Sequence, residues 1–272
     1  MLQRIPLSGL AFLAVVAWAI IGCAPVQSPT PPLPKGTTRP VPTATPPPSP
    51  TTTGALISVV GPDVPAHVLD DIATALRAGA PAICAALRVA CDFPVSVAVY
   101  PDQAAFDRQV MNPAMRGTFA LSGNGRIQIV SPANSGRDDL SYEDGVGVAV
   151  HEFVHLALDQ IDPELPDWLE EGTAVYLGPH DAYDRACRER LPGVALPTLG
   201  DLRQRYSDVP AADLFAYTLV ASIVDAHSLE GLNALLRAPD ALEATLNLPA
   251  AEIETAWRSF VGRGCVDELP GS

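Results

Sequence analysis

From Leu56 onward, short stretches with β-type patterning come first along the chain and longer helical ones follow. Leu56–Val60 reads as a short strand. Val64 to about Leu87 reads as a helix, with Val68, Ile72, Leu76 and Ile83 near helical spacing. Val95–Tyr100 alternates as a strand should, and Gln103–Val110 suits a short helix. Thr118–Leu121 and Arg126–Val130 are β-prone runs on either side of Ser122-Gly123-Asn124-Gly125, which predicts a hairpin. Beyond a polar loop the pattern turns helical over Tyr142–Leu158 and Asp167–Leu177. A third helical stretch begins at Thr198–Arg205, Leu214–Ala226 and Leu229–Leu236 continue it, and Ala250–Val261 closes the chain. Strands early and helices late predict an α+β domain over residues 55–272. Its small N-terminal mixed sheet with a hairpin would precede a mostly helical C-terminal half, rather than form a parallel doubly wound sheet.

The segment before this domain has a different character. Arg4 precedes an apolar run from Leu7 to Ile21, whose length and flanks fit a signal peptide better than a membrane-spanning helix. It ends in Ile20-Ile21-Gly22-Cys23, which resembles the bacterial lipobox. That resemblance implies a signal peptide over residues 1–22 and a diacylglycerol thioether on Cys23. The domain would then lie in the bacterial cell envelope, lipid-anchored outside the cytoplasmic membrane. An uncleaved anchor, or an ordinary secretory signal with a chance cysteine, is the alternative. From Ala24 to about Gly54 run 11 of the 28 prolines, interleaved with Thr and Ser. Such a segment buries no apolar area and samples extended polyproline II, so residues 23–54 read as a disordered linker, a plain spacer or a wall-spanning stalk.

Composition sharpens this picture. A hydrophobic content of 48% supports a real core, while a net charge of −14 argues against nucleic acid and against electrostatic binding to anionic lipid. Cys84, Cys91, Cys187 and Cys265 remain once Cys23 is set aside, an even number that suits an oxidising compartment. Three pairings are possible, and Cys84–Cys91 with Cys187–Cys265 is preferred. Seven residues of unbroken helix span about 10.5 Å, too far for a disulfide. That bridge therefore requires the helix to end near Arg88 and the chain to turn back before Asp92.

Chemistry concentrates at His151-Glu152-Phe153-Val154-His155. Two histidines four apart on a helix project from one face, and the H-E-x-x-H pattern suits zinc with Glu152 as the base. Catalytic zinc takes three protein ligands and keeps one position open. A helix starting at Pro166 places Glu171 with Trp168, Gly172 and Val175 near the apolar face, which makes Glu171 the candidate third ligand. Glu170, beside Asp167, Thr173 and Ala174, reads as solvated surface. Gly172 would let the active-site helix and its successor approach closely.

His151 to His155 followed by Trp168-Leu169-Glu170-Glu171-Gly172 resembles the gluzincin metallopeptidases, and most of all the compact "peptidase MA-like" group with H-E-x-x-H followed by W-L-x-E-G. The likeness spans roughly Val95 to Arg237. It implies a zincin-like fold, one zinc per chain on His151, His155 and Glu171, and peptide or protein substrates cleaved by a zinc-activated water with Glu152 as general base. It also implies an oxyanion donor from a later helix, for which Tyr217 is the candidate, with Tyr176 and His180 as alternatives and helix packing as the plainer role for Tyr217. Fifteen residues separate His155 from Glu171, fewer than in thermolysin. Val175 stands where thermolysin-like enzymes place an aspartate that orients a zinc histidine, so that support must come from elsewhere, with Asp159 and Asp225 as candidates. His227 reads as a helix-end residue. Two other functions compete: a non-catalytic zinc-containing surface binding module, and a zinc amidase acting on cell-wall material. The hairpin before the zinc helix offers a sheet edge for an extended peptide.

Overall fold

The computed structural model describes residues 56–110, 117–137, 140–179, 181–191 and 194–265. Cys23, the signal and linker segments and His180 lie outside these residues.

Four strands form one mixed sheet: β1 (Leu56–Val60), β2 (Pro94–Tyr100), β3 (Ala120–Gly123) and β4 (Arg126–Val130), in the order β1-β2-β4-β3. The first three in that order run parallel, and β3 is antiparallel to β4. Val97 and Val99 pair with Ile127 and Ile129, and all four are buried, as strict alternation requires. The hairpin turn is shorter than the sequence suggests. Asn124 (φ 52°) and Gly125 (φ 72°) are its two left-handed residues, so Ser122 and Gly123 stay in the ladder opposite Ile127 and Arg126. β4 is paired on both sides, which leaves β3 as the edge on this side of the sheet.

α1 (Ala66–Leu87) buries Val68, Ile72, Leu76, Ile83 and Leu87. It stops at Arg88, which adopts the left-handed conformation (φ 56°, ψ 42°) and donates its N–H to the Ala85 and Cys84 carbonyls. The chain then doubles back, Cys91 lies 5.6 Å from Cys84 between Cα atoms, and the two are disulfide-bonded. α2 (Gln103–Gln109) follows β2, capped by the Asp102 carboxylate accepting from the Ala105 N–H.

The rest is helical: α3 (Tyr142–Leu158), α4 (Asp167–Leu177), α5 (Asp181–Arg190), α6 (Leu199–Gln204), α7 (Ala212–Leu236), α8 (Leu242–Leu246) and α9 (Ala250–Gly262). α3 is the hub, packed on α1, β3, β4 and α4. Its N-terminus is fixed by Ser141, whose hydroxyl accepts from the Asp144 N–H at 3.0 Å. α4 lies between α3 and α7. A Cβ on Gly172 would stand 2.6 Å from the Ala216 carbonyl oxygen, so the close approach Gly172 permits is to α7 and not to α3. α7 breaks at Ser228 (φ 60°, ψ 176°), where the hydropathy pattern also divides, and the Ser228 hydroxyl accepts from the Glu230 N–H to restart the helix. By length and composition α7 could cross a membrane, but it packs against α4, α6, α8 and α9 as a core helix. α5 and α8 have no counterpart in the hydropathy pattern. Six of the ten residues of α5 are charged, so its apolar positions are few, although they share a face.

Candidate metal centre

α3 and α4 bring three side chains to one point. His151 and His155 sit one turn apart, their rings 4.8 Å apart and steeply inclined. Their Nε2 atoms are 3.1 Å from each other. Glu171 reaches in from α4, with Oε2 at 3.5 Å from His151 Nε2 and 3.7 Å from His155 Nε2. These three residues form a group able to hold a metal ion. The spacing fits such an ion: tetrahedral bonds of about 2.0–2.1 Å place ligand atoms about 3.3 Å apart. Two imidazole nitrogens facing one another beside a carboxylate leave lone pairs converging on a single volume, which a cation satisfies better than hydrogen bonds can.

Glu170 departs from its reading as solvated surface. Its Oε1 lies 2.9 Å from His155 Nδ1 and its side chain is two-thirds covered. The physical reason lies in α4's position between two helices. Thr173 and Ala174, on the flank assigned to solvent, are both fully buried. A wheel with one apolar stripe misjudges a helix that has two partners. Of the other supporting candidates, Asp159 is within electrostatic reach of His155 and Glu170. Asp225 is instead ion-paired with Arg263 at 3.2 Å.

Glu152 is 2% exposed, one position along from His151. Among the described residues its Oε1 has no hydrogen-bond partner. Ser122, kept in β3 by the short hairpin turn, is close enough to the Glu152 carboxyl to favour its ionised form. Burial pushes the Glu152 pKa up. The two histidines and Ser122 oppose that shift, and Glu171 adds to it. A buried carboxyl with one oxygen unsatisfied and a raised pKa is poised to exchange a proton.

The two histidines differ in charge. Burial, then the neighbouring His155, pushes His151 down to about 4. Burial would lower His155 as well, but Glu171, the Glu170 hydrogen bond and Glu152 outweigh it and raise His155 to about 10. In the metal-free chain near neutral pH the shared proton therefore belongs to His155.

A further layer of the site was not legible in the sequence. Asp213, in the first turn of α7 and 8% exposed, accepts a hydrogen bond from the Tyr206 hydroxyl at 2.6 Å. Burial and then the charge of Glu171 raise its pKa to about 7. The single clue was an acid placed one helical turn before Tyr217 in an apolar run. Tyr217 itself is buried at the α5–α7 contact and donates its hydroxyl to Asp184. Its ring lies 5.9 Å from that of Tyr183. Tyr176 is half-buried in the last turn of α4, and His227 sits beside the break in α7. The remaining cysteines pair as Cys187–Cys265, with Cα atoms 6.1 Å apart.

A scan against models of protein families matches none of them, and a search of curated proteins returns no match.

Proposed function

We propose that residues 55–272 form a zincin-like hydrolase of the gluzincin type that cleaves peptide bonds with one zinc ion per chain. One observation carries the reading: ligand atoms of His151, His155 and Glu171 converge within 3.1–3.7 Å, beside a buried base with an unpartnered oxygen. An N,N,O donor set at tetrahedral spacing suits zinc, with a fourth position left for water or substrate. When bound, the ion supplies Lewis acidity, lowering the pKa of water and polarising a carbonyl.

The protein's own groups do the rest. Glu152 takes the proton of the attacking water at Oε1 and returns it to the leaving amine. Ser122 stabilises the ionised carboxyl, and Oε1 is left without a partner to take that proton. Glu170 fixes the His155 ring and leaves Nε2 for the metal. The edge strand β3 packs beside α3, where an extended peptide can add to the sheet. Lipidation of Cys23 would hold the domain outside the cytoplasmic membrane, on the linker of residues 24–54.

A purely structural zinc site fits less well, because it closes its fourth position and has no use for Glu152. Cell-wall amides call for the same chemistry, so the substrate must be tested directly. Incubation with a peptide library, read by mass spectrometry, should show cleavage that a chelator abolishes and zinc restores. Glu152→Gln should lower it by about 100-fold or more. Cleavage of wall fragments with none of peptides would reassign the substrate, and cleavage of neither would overturn the hydrolase reading.

A further inference from the structure

α5 is out of keeping with its surroundings. Six of its ten residues are charged, and among the described side chains Cys187 is its one fully buried one. Such a helix buries too little apolar area to dock by packing alone. What holds it is a covalent link and a polar one. Cys187 is bonded to Cys265, just past the end of α9, and Asp184 accepts the Tyr217 hydroxyl from α7. Asp184 and Cys187 are three apart and Leu191 follows four later, so all three lie on one face, and Tyr183 borders it.

That face meets α7, the helix on which α4 seats. Tyr183 stacks obliquely on Tyr217, at a ring separation of 5.9 Å. The residue before Tyr217, Ala216, is the one on which Gly172 seats, directly after the ligand Glu171. Tyr183 is accordingly within electrostatic reach of Asp213, Glu171 and Arg137. Burial first, then the two acids, keep its phenol protonated. Among the described residues its hydroxyl has no hydrogen-bond partner. A protonated phenol within electrostatic reach of Glu171 is a donor available to a substrate oxygen.

We propose that the Cys187–Cys265 disulfide holds α5 as a strap along one side of the metal centre, and that Tyr183 is the residue it positions to donate a hydrogen bond to bound substrate. The strap rests on the structure alone. The role of Tyr183 rests also on the hydrolase reading above.

The test compares the full wild-type chain with Cys187→Ala/Cys265→Ala, Cys84→Ala/Cys91→Ala and Tyr183→Phe. Trypsin, followed by mass spectrometry of ends at the exposed Arg185, Arg188 and Arg190, reads the strap without reference to metal or activity. Opening Cys187–Cys265 should speed cleavage within α5 by about tenfold or more, through local unfolding. Opening Cys84–Cys91 should leave it unchanged, although that variant also loses a disulfide. Tyr183→Phe should keep wild-type trypsin resistance and zinc content while kcat for peptide cleavage falls by about 100-fold, with KM within about threefold. Equal cleavage of α5 with and without Cys187–Cys265 overturns the strap. A wild-type kcat in Tyr183→Phe overturns the role of Tyr183, even if the double variant fails to fold. A wild-type chain that cleaves no peptide ends the Tyr183 assignment together with the hydrolase reading, and the trypsin comparison still decides the strap.

Discussion

Glu170 Oε1 and His155 Nδ1 lie 2.9 Å apart, which commits the His155 Nδ1 proton to the carboxylate and turns Nε2 toward Glu171 and His151. Val175, four positions after Glu171, offers no such partner, and the support comes from the residue before Glu171. Carboxylate partners of this kind orient the ring and raise its basicity as a ligand.

Replacing Glu170 should therefore weaken metal binding without changing the fold. Glu170→Ala should raise the zinc dissociation constant by about 10–100-fold, and Glu170→Gln by less, because the amide oxygen can still accept. Competition against a chromogenic chelator measures both. Unchanged affinity in Glu170→Ala would make the contact incidental.

Metal uptake should release a proton. His155, raised to about 10, is protonated in the metal-free chain near pH 8, whereas His151, lowered to about 4, is neutral there. Zinc requires both unprotonated, so about one proton should leave His155 per ion bound. The sign follows from the shift. The raised His155 pKa stabilises the metal-free fold fully below about 6.5, and that contribution is lost as pH rises through about 10. Zinc affinity should accordingly rise with pH across the same window. Calorimetric titration in buffers of different ionisation enthalpy gives the proton count.

Gly172 is the packing point that delivers Glu171. A Cβ there would stand 2.6 Å from the Ala216 carbonyl oxygen and 2.8 Å from Val220 Cγ2, so Gly172→Ala must push α4 off α7. The overpacking should cost about 1–3 kcal/mol in denaturant unfolding. It should also displace Glu171 enough to lower zinc content. A stable variant with full zinc would show that the interface yields without moving the ligand.

The two disulfides should differ in their effect on stability. Cys187–Cys265 spans 78 positions and Cys84–Cys91 spans 7. Loop-closure entropy then assigns about 4.5 kcal/mol to the first and about 2.5 kcal/mol to the second. Urea unfolding of the paired Cys→Ala variants should preserve that order.

Much of this site is legible in the chain alone, and the rest depends on tertiary packing. His151, Glu152 and His155 are legible because one helical turn sets their geometry, and Glu171 because a single wheel separates it from most of its neighbours. The Arg88 reversal was legible too, since the Cys84–Cys91 bridge leaves the helix no other way to end. Glu170 was misread because α4 has two packing partners and one stripe does not show it. Asp213, Tyr206 and Tyr183 stand 12 to 42 positions beyond Glu171 and come within its electrostatic reach through tertiary packing alone. The parallel pairing of β2 with β4 is equally non-local, and α5 is hard to see because six charged residues leave it few apolar positions.

The most direct measurement of the central claim is the metal content of residues 55–272, compared with Glu171→Ala and Glu152→Gln. We expect about one zinc per chain in the wild type, as a three-ligand site implies. Zinc should be retained in Glu152→Gln, whose side chain is not a ligand, and depleted in Glu171→Ala. Correctly folded wild-type protein that takes up no zinc, or Glu171→Ala that keeps it fully, would contradict the account.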